Sequence, residues 1–158
     1  MFESKVDKEP DVLIRKITTE LVPQVLALEL QIDQQGFLPD VASSLELAEK
    51  YEQAQAFAIF EGRDVVGFGL YGVDQLSGSW KIFRLMIDKA HQGRGLGEKA
   101  MREIIRELRS LQGAEEILIC YHGNNEPARQ LYGKLGFIEY GFEEKENKVR
   151  ARLSCQNF

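Results

Sequence analysis

Three alternating glycines, Gly93, Gly95 and Gly97, sit between an apolar run, Trp80 to Asp88, and a segment whose apolar residues recur at helical spacing from Leu96. A strand that passes through a glycine-rich turn into a helix is a demanding arrangement, because such a turn uses backbone angles that residues with a Cβ avoid. It also aims main-chain N–H groups at the space before the helix, where the macrodipole adds about half a positive charge. From Leu96 the apolar positions are Ala100, Met101, Ile104, Ile105, Leu108 and Leu111, and Glu98, Lys99, Arg102, Glu103, Arg106, Glu107 and Arg109 take the other side. The pattern predicts a strongly amphipathic helix that ends near Gly113.

The remaining periodicities fill in the chain around this unit. Val12 to Ile17 predicts a first strand, and Thr18 or Thr19 offers an N-cap for a helix carrying Leu21, Val25, Leu28 and Leu30. The stretch from Asp33 to Asp40 breaks that period, and Asp40 can cap a second helix with Val41, Leu45, Leu47 and Ala48. Gln55 to Phe60 and Asp64 to Tyr71, joined by Glu61-Gly62-Arg63, have the form of a hairpin. Ile117 to Tyr121 predicts a buried strand. Asn124-Asn125-Glu126-Pro127 then caps a short helix through Ala128, Leu131 and Leu135 to Gly136, and Phe137 to Phe142 with Lys148 to Leu153 close a last hairpin. The order β-α-α-β-β-β-α-β-α-β-β mixes hairpins with one strand-helix-strand crossover. It predicts an α+β fold on a mixed, mostly antiparallel sheet flanked by helices, in a single domain over residues 1–158 with its core at about 12–153.

Charge and cysteine content narrow the partners. Twenty basic against 25 acidic residues give a net charge of -5, a field that repels a nucleic-acid backbone and mildly favours cationic small molecules. Nucleic acid is therefore not an expected partner, and the runs Arg102, Arg106, Arg109 and Lys148, Arg150, Arg152 read as solvated faces. Cys120 and Cys155 match no metal-ligand or redox spacing, so no metal is expected; Cys120, within an apolar run, predicts packing as a small hydrophobe. The opening residues Met1 to Lys8 contain no apolar stretch of the kind an export signal has, and nothing later approaches the ~18 apolar residues of a membrane span. A cytoplasmic protein with no membrane attachment is the expectation.

A turn built from Gly93, Gly95 and Gly97 at a helix start is suited to phosphate oxygens, with Arg94 and Lys99 as candidates for an added formal charge. The two commonest nucleotide loops do not fit. No Gly-x-x-x-x-Gly-Lys-Ser/Thr occurs, and Glu98 stands where a dinucleotide loop has its third glycine. The alternative is a turn that needs permissive angles and binds nothing.

The run Gln92-Gly93-Arg94-Gly95-Leu96-Gly97 resembles the Gln/Arg-x-x-Gly-x-Gly/Ala motif of the GNAT superfamily of N-acetyltransferases. Asn125-x-x-Ala128-x-x-Leu131-Tyr132-x-x-x-Gly136-Phe137 resembles the second signature of the same superfamily. The two together cover residues 80–140, and the element order is similar to that fold from 12 to 153. The resemblance implies acetyl-CoA as cosubstrate, bound by Gln92, Gly93, Arg94, Gly95, Leu96, Gly97 and Glu98, with Asn125 also at the coenzyme. It implies that the strand Trp80 to Asp88 splays from the strand Ile117 to Tyr121, so that backbone groups of Leu85, Met86 and Ile87 meet the pantetheine arm. Tyr132 falls where many members carry the tyrosine that hydrogen-bonds the thiol sulfur, which makes it the candidate general acid. Its spacing from Ala128 and Leu135 also predicts that its ring simply packs beside Leu131 and Phe137.

Acetyl transfer from a thioester to an amine needs an uncharged nucleophile, a polarised carbonyl and a proton for the departing thiolate. A backbone N–H near Met86 or Ile87 is the candidate for the oxyanion, a contribution of about 3–4 kcal/mol in other acyl-transfer sites. Reference pKa values of about 10 for a phenol and 8.5 for a thiol make the Tyr132 step uphill by roughly 2 kcal/mol. An alkylammonium of pKa about 10.4 is free base only about 4 times in 10,000 at pH 7, at a cost of about 4.6 kcal/mol. The polyamine branch of the superfamily often carries an acid on the fourth strand, but Phe83 occupies that place here. Relays through Tyr71, Tyr121 or His122 are the remaining candidates for the base.

Gln35-x-Phe37-Leu38, Ser44-Leu45-x-x-Ala48 and Val66-Gly67-Phe68-Gly69-Leu70-Tyr71-Gly72 resemble the bacterial diamine and spermine/spermidine acetyltransferases. That likeness implies a small-molecule amine acceptor near the loop between the first two helices, with Glu29, Asp33, Asp40 or Glu46 drawing in ammonium groups. For each acid taken singly, an ordinary solvated position explains it as well. Other readings are a different amine, such as an amino acid, a peptide or protein N-terminus or an antibiotic, a non-catalytic acetyl-CoA-binding module, and an interaction protein using its basic helix faces. Retention of Tyr132 favours an enzyme. A homodimer is common in similar proteins, although no patch in the sequence argues for one.

Overall fold

A computed structural model describes residues 12–29, 41–50, 54–111 and 113–155. The elements are β1 (Val12–Lys16), a 3-10 turn (Thr19–Leu21), α1 (Val22–Leu26), α2 (Val41–Lys50), β2 (Gln55–Glu61), β3 (Asp64–Val73), β4 (Trp80–Ile87), a second 3-10 turn (Lys89–His91), α3 (Leu96–Arg109), β5 (Glu116–His122), α4 (Glu126–Lys134), β6 (Ile138–Glu143) and β7 (Lys148–Ser154). The seven strands form one sheet in the order β1-β2-β3-β4-β5-β7-β6, antiparallel at every pairing except β4 with β5. The architecture is the α+β arrangement expected.

Two helical layers cover the sheet. On one face α3 buries Leu96, Ala100, Met101, Ile104, Ile105 and Leu108 against Val12, Phe57, Ile59, Val66, Tyr71, Ile82, Ile117 and Ile119. Each large side chain so buried contributes roughly 1.5–3 kcal/mol, so the helix is held chiefly by this stripe. On the other face Val25 of α1, with Leu21, Leu28, Leu45 and Ala48, packs on Ala56, Ala58, Phe68, Leu70 and Met86. Gly69 makes room on the α3 face: a Cβ there would lie 2.0 Å from the Phe57 ring, which rests directly on the strand.

The first helix is shorter than its apolar spacing predicts. Thr18 makes no side-chain cap; the chain turns through the 3-10 segment, and Pro23, at the start of α1, leaves only Val22–Leu26 as α-helix. Proline is at home in a first turn but cannot extend a helix backwards. Residues 30–40, including the expected cap Asp40 and the candidate acid Asp33, lie outside the described residues. Asn125 does cap α4, its Oδ1 accepting from the Ala128 N–H at 3.2 Å. Gly113 takes φ 82°, past the C-terminal end of α3 at Arg109. Among the described residues no helix is long and apolar enough to cross a membrane.

The parallel pair is the feature that positions the site. β4 and β5 are registered only at Trp80↔Ile117, Lys81↔Leu118 and Ile82↔Ile119. β4 then stays on β3 as far as Ile87↔Gly67, and β5 stays on β7 through His122↔Lys148. The register of β4 on β3 shifts between Tyr71↔Ile82 and Leu70↔Arg84, so Phe83 is an extra residue, and such a bulge bends the strand that carries it. β4 therefore leaves β5 where the bulge falls, and each strand keeps one edge of unpaired main-chain groups.

Candidate active site

The gap between β4 and β5 opens into a cleft of about 530 Å³. Its floor at one end is the turn that begins α3. Gly93 and Gly95 adopt φ 80° and 77°, the left-handed region, and a Cβ on either would meet open space, so it is conformation rather than crowding that calls for glycine. The first helical bond of α3 runs from the Lys99 N–H to the Gly95 carbonyl at 3.2 Å, which leaves the N–H groups of Leu96, Gly97 and Glu98 without an intrahelical partner. Gly93, Gly95, Leu96 and Gly97 all line the cleft. Donors and dipole at this corner suit a diphosphate.

The side chains around the turn divide the work. Gln92 Nε2 donates to the Ile87 carbonyl at 2.8 Å, fastening the turn to the end of β4. Arg94 and Glu98, both expected at the coenzyme, turn their charges away from the cleft. Arg94 Nη2 lies 2.7 Å from each carboxylate oxygen of Glu61. Glu98 accepts from Lys134 Nζ at 2.7 Å and from Arg102, and the Lys134 hydrogen bond holds its carboxyl below the usual range. The formal charge expected from Arg94 is thus already paired, and the corner's positive potential comes from its backbone. The unpaired edge of β4, with Leu85, Met86 and Ile87, forms one wall, and Cys120, Tyr121 and His122 of β5 form the other. Cys120 is half-buried on the cleft wall instead of in the core.

Tyr132 of α4 closes the α3 side of the cleft. Its ring lies 5.5 Å from that of Tyr121 and 5.9 Å, edge-on, from that of Phe137. Packing and a position on the cleft thus coincide. Among the described residues nothing hydrogen-bonds its hydroxyl, and burial alone pushes its pKa up to about 12. The Tyr121 hydroxyl, by contrast, donates to Glu139 Oε1, which also accepts from Arg129 Nε at 2.9 Å; burial and then the Glu139 bond raise Tyr121 to about 12. Of the three relay candidates, Tyr121 and His122 line the cleft, and His122 Nδ1 accepts from the Asn124 N–H at 3.2 Å. Tyr71 does not: it is buried on the α3 face against Phe57 and Trp80.

The cleft lining also carries charged residues that the sequence reading leaves on solvated faces or does not single out, beside Phe83. Phe83 packs with the α1 and α2 cluster, and Arg84 stands opposite Leu70 of that cluster, so the bulge turns both toward the same face. Lys81 Nζ sits 5.6 Å from the Phe83 ring. With Lys148 of β7 these are the charged side chains that line the cleft, and among the described lining residues there is no carboxylate. Glu29 and Glu46 are exposed and do not line it. Glu29 acts through its backbone: its N–H donates to Asp88 Oδ1 at 2.8 Å and its carbonyl accepts from the Lys89 N–H at 2.6 Å, tying the segment after α1 to the end of β4. Among the described residues no group of three or more His, Cys, Asp or Glu is placed to hold a metal ion.

A strand pair parted by a bulge above a glycine turn is the geometry of the cleft, and comparison with known proteins supplies the family. Residues 24–137 match the acetyltransferase (GNAT) family, and the chain belongs to that family. It is 28% identical over 130 residues to the probable spermine N(1)-acetyltransferase of Bacillus subtilis subsp. natto, covering 78% of this chain and 86% of the other. The spermine/spermidine N(1)-acetyltransferase of Bacillus subtilis strain 168 matches to the same extent. Among solved structures, the spermidine N-acetyltransferase of Vibrio cholerae in complex with CoA and spermine superposes with a TM-score of 0.75 at 15% identity, over 92% of this chain and 96% of that one. The ribosomal-protein-S5-alanine acetyltransferase of Vibrio fischeri gives 0.76 at 16% identity, over 95% and 96%. These last two likenesses are of fold.

Proposed function

We propose that this chain, as one catalytic domain, moves the acetyl group of acetyl-CoA to a primary amine by direct attack on the thioester. The observation that carries the reading is the unpartnered Tyr132 hydroxyl at a cleft whose far corner presents the free N–H groups of α3. The diphosphate would rest on Gly93 to Glu98, and the pantetheine arm would run between β4 and β5 along Leu85, Met86 and Ile87, with Asn125 holding the start of α4 beside it. A main-chain N–H of Met86 or Ile87 would take the developing oxyanion. The amine nitrogen bonds the acetyl carbon, the carbon–sulfur bond breaks while the Tyr132 hydroxyl hydrogen-bonds the departing sulfur, and the proton lost by nitrogen reaches the thiolate through water.

A pKa near 12 alters the energetics expected from reference values. Against a thiol at about 8.5, full proton transfer from Tyr132 is uphill by about 3.5 units, or roughly 4.8 kcal/mol. Tyr132 is therefore best suited to donate a hydrogen bond that strengthens as charge builds on sulfur, and it holds its proton across the neutral range.

Two acceptor readings follow. The curated relatives support a polyamine such as spermine or spermidine. The cationic side chains of the described lining, Lys81, Arg84 and Lys148, favour an amine of another kind, on an amino acid or peptide. Release of free thiol from acetyl-CoA, measured with polyamines, diamines, amino acids and peptides in turn, tests the enzymatic reading. Release that requires an amine supports it, and no release with any acceptor overturns it.

A further inference from the structure

Arg84 stands on β4, the middle strand of the sheet. It is about half buried on the cleft wall, and burial alone lowers its pKa, with no carboxylate acting on it. Of its five N–H donors, Nη1 donates to the neighbouring Phe83 carbonyl at 2.8 Å, and Nε is buried with no partner. The donors left open at the cleft are those of Nη2, which can hold a carboxylate oxygen in a charge-assisted hydrogen bond. With Nε enclosed and unsatisfied, the guanidinium lacks an acceptor of its own beyond the Phe83 carbonyl, and a ligand anion at Nη2 would supply one.

The charged side chains of the described lining carry the same sign. Lys81 and Lys148 are the other charged residues on the cleft lining, Lys81 forms no ion pair within 4 Å among the described residues, and Lys148 reaches only exposed Glu146 at 3.4 Å. Asp74, which lies off the lining, is the described carboxylate that acts on Lys81, and the described lining itself holds Arg84, Lys81 and Lys148 with no acid among them. An acceptor with an anionic group beside its amine would pair with Arg84 Nη2 and gain from the positive lining.

We infer that the acceptor carries a carboxylate as well as the amine that is acetylated, and that Arg84, on the bulge of β4, is the residue that receives this carboxylate. The inference rests on the amine-acetyltransfer reading and departs from the polyamine one. An amine on a free amino acid and one on a short acidic peptide offer the same group.

Matched acceptors test it on the full-length chain: L-lysine against 1,5-diaminopentane, L-ornithine against 1,4-diaminobutane, and a glutamate-bearing dipeptide against its side-chain amide, with spermidine and spermine alongside. The carboxylate-bearing member of each pair is expected to have the higher kcat/KM. In Arg84→Gln the ratio within each pair should fall roughly 10- to 100-fold, the worth of a charge-assisted hydrogen bond, and Arg84→Lys should keep part of it. Coenzyme A affinity and melting temperature of both variants establish that they fold; if Arg84→Gln does not, Arg84→Lys decides, since an ammonium keeps the charge but loses the donor placed by Nη2 and with it part of the preference. Free amino acids and the dipeptide separate the two sources. Thiol release with polyamines but not with their carboxylate-bearing counterparts, or a ratio unmoved by either substitution, overturns the inference and leaves the enzymatic reading standing. Absence of release with every amine overturns both.

Discussion

Ile82 and Ile119 are the last residues at which β4 and β5 remain paired, and the next residue of β4, Phe83, is the one its partner β3 leaves out of register. One extra residue thus does two things. It parts the parallel strands to make the cleft, and it sets Phe83 and Arg84 on the face where an acceptor would approach. The chemistry proposed depends on this coincidence of bulge and splay.

Removing the Tyr132 hydroxyl should slow the chemical step without loosening the coenzyme. The ring would keep its contacts with Tyr121 and Phe137, so Tyr132→Phe is expected to fold and to bind coenzyme A normally. Its kcat should fall about 10²-fold or more, as loss of a positioned proton donor commonly does. Rapid-mixing turnover with calorimetric binding checks this, and an unchanged kcat would remove Tyr132 from the mechanism.

The glycines of the turn should separate by conformation. At Gly95, φ 77° disfavours any Cβ, so Gly95→Ala should cost about 1–2 kcal/mol of stability, and Gly95→Glu should in addition abolish coenzyme binding by placing bulk and negative charge at the phosphate corner. At Gly97 a Cβ would lie 3.8 Å from Leu131 and 3.9 Å from Ile87, ordinary contacts, so Gly97→Ala should stabilise the protein by about 0.5–1 kcal/mol. Urea unfolding with coenzyme titration distinguishes them, and equal effects at the two sites would contradict the assignment.

How much of this was legible beforehand depends on what each residue's neighbours do. The glycine turn and α3 are local patterns, and their spacing alone predicts them. Tyr132 and Asn125 were found through a motif, and the structure puts both on the cleft. Arg84 was not found, because its importance comes from a bulge, and a bulge is set by how Phe83 fits against β3 rather than by any periodicity. The shortening of α1 is a similar case: the spacing of Leu21, Val25 and Leu28 looks helical, yet Pro23 and the 3-10 turn decide where the helix begins. Arg94 was read as a free charge because Glu61, its partner, is distant in sequence and adjacent only once β2 and β3 form their hairpin.

Alkaline pH should unfold the protein through its tyrosines. Burial, with Glu107 adding for Tyr71 and the Glu139 bond adding for Tyr121, pushes Tyr71, Tyr121 and Tyr132 up to about 12 from 10. A raised value means the folded state holds the proton more tightly than the unfolded chain. Their contribution is therefore fully present below pH 10 and is lost as pH climbs through 12. Melting temperature should be steady to about pH 10 and drop beyond it, with late phenolate absorbance; ionisation of every tyrosine near 10 with no loss of stability would contradict these environments.

Gly69 should tolerate no side chain while Phe57 is present. Since a Cβ would fall 2.0 Å from that ring, Gly69→Ala is expected to lose about 1–3 kcal/mol by overpacking. Adding Phe57→Leu should recover part of the loss, a coupling that a double-mutant cycle reads directly. Strict additivity would mean the ring does not rest on the glycine.

A crystal structure of the full-length chain grown with coenzyme A tests the central claim most directly. The account predicts the diphosphate on the main-chain N–H groups between Gly93 and Glu98, the arm between β4 and β5, and the sulfur within hydrogen-bonding distance of the Tyr132 hydroxyl. Coenzyme bound elsewhere, or a sulfur that does not approach Tyr132, would contradict it.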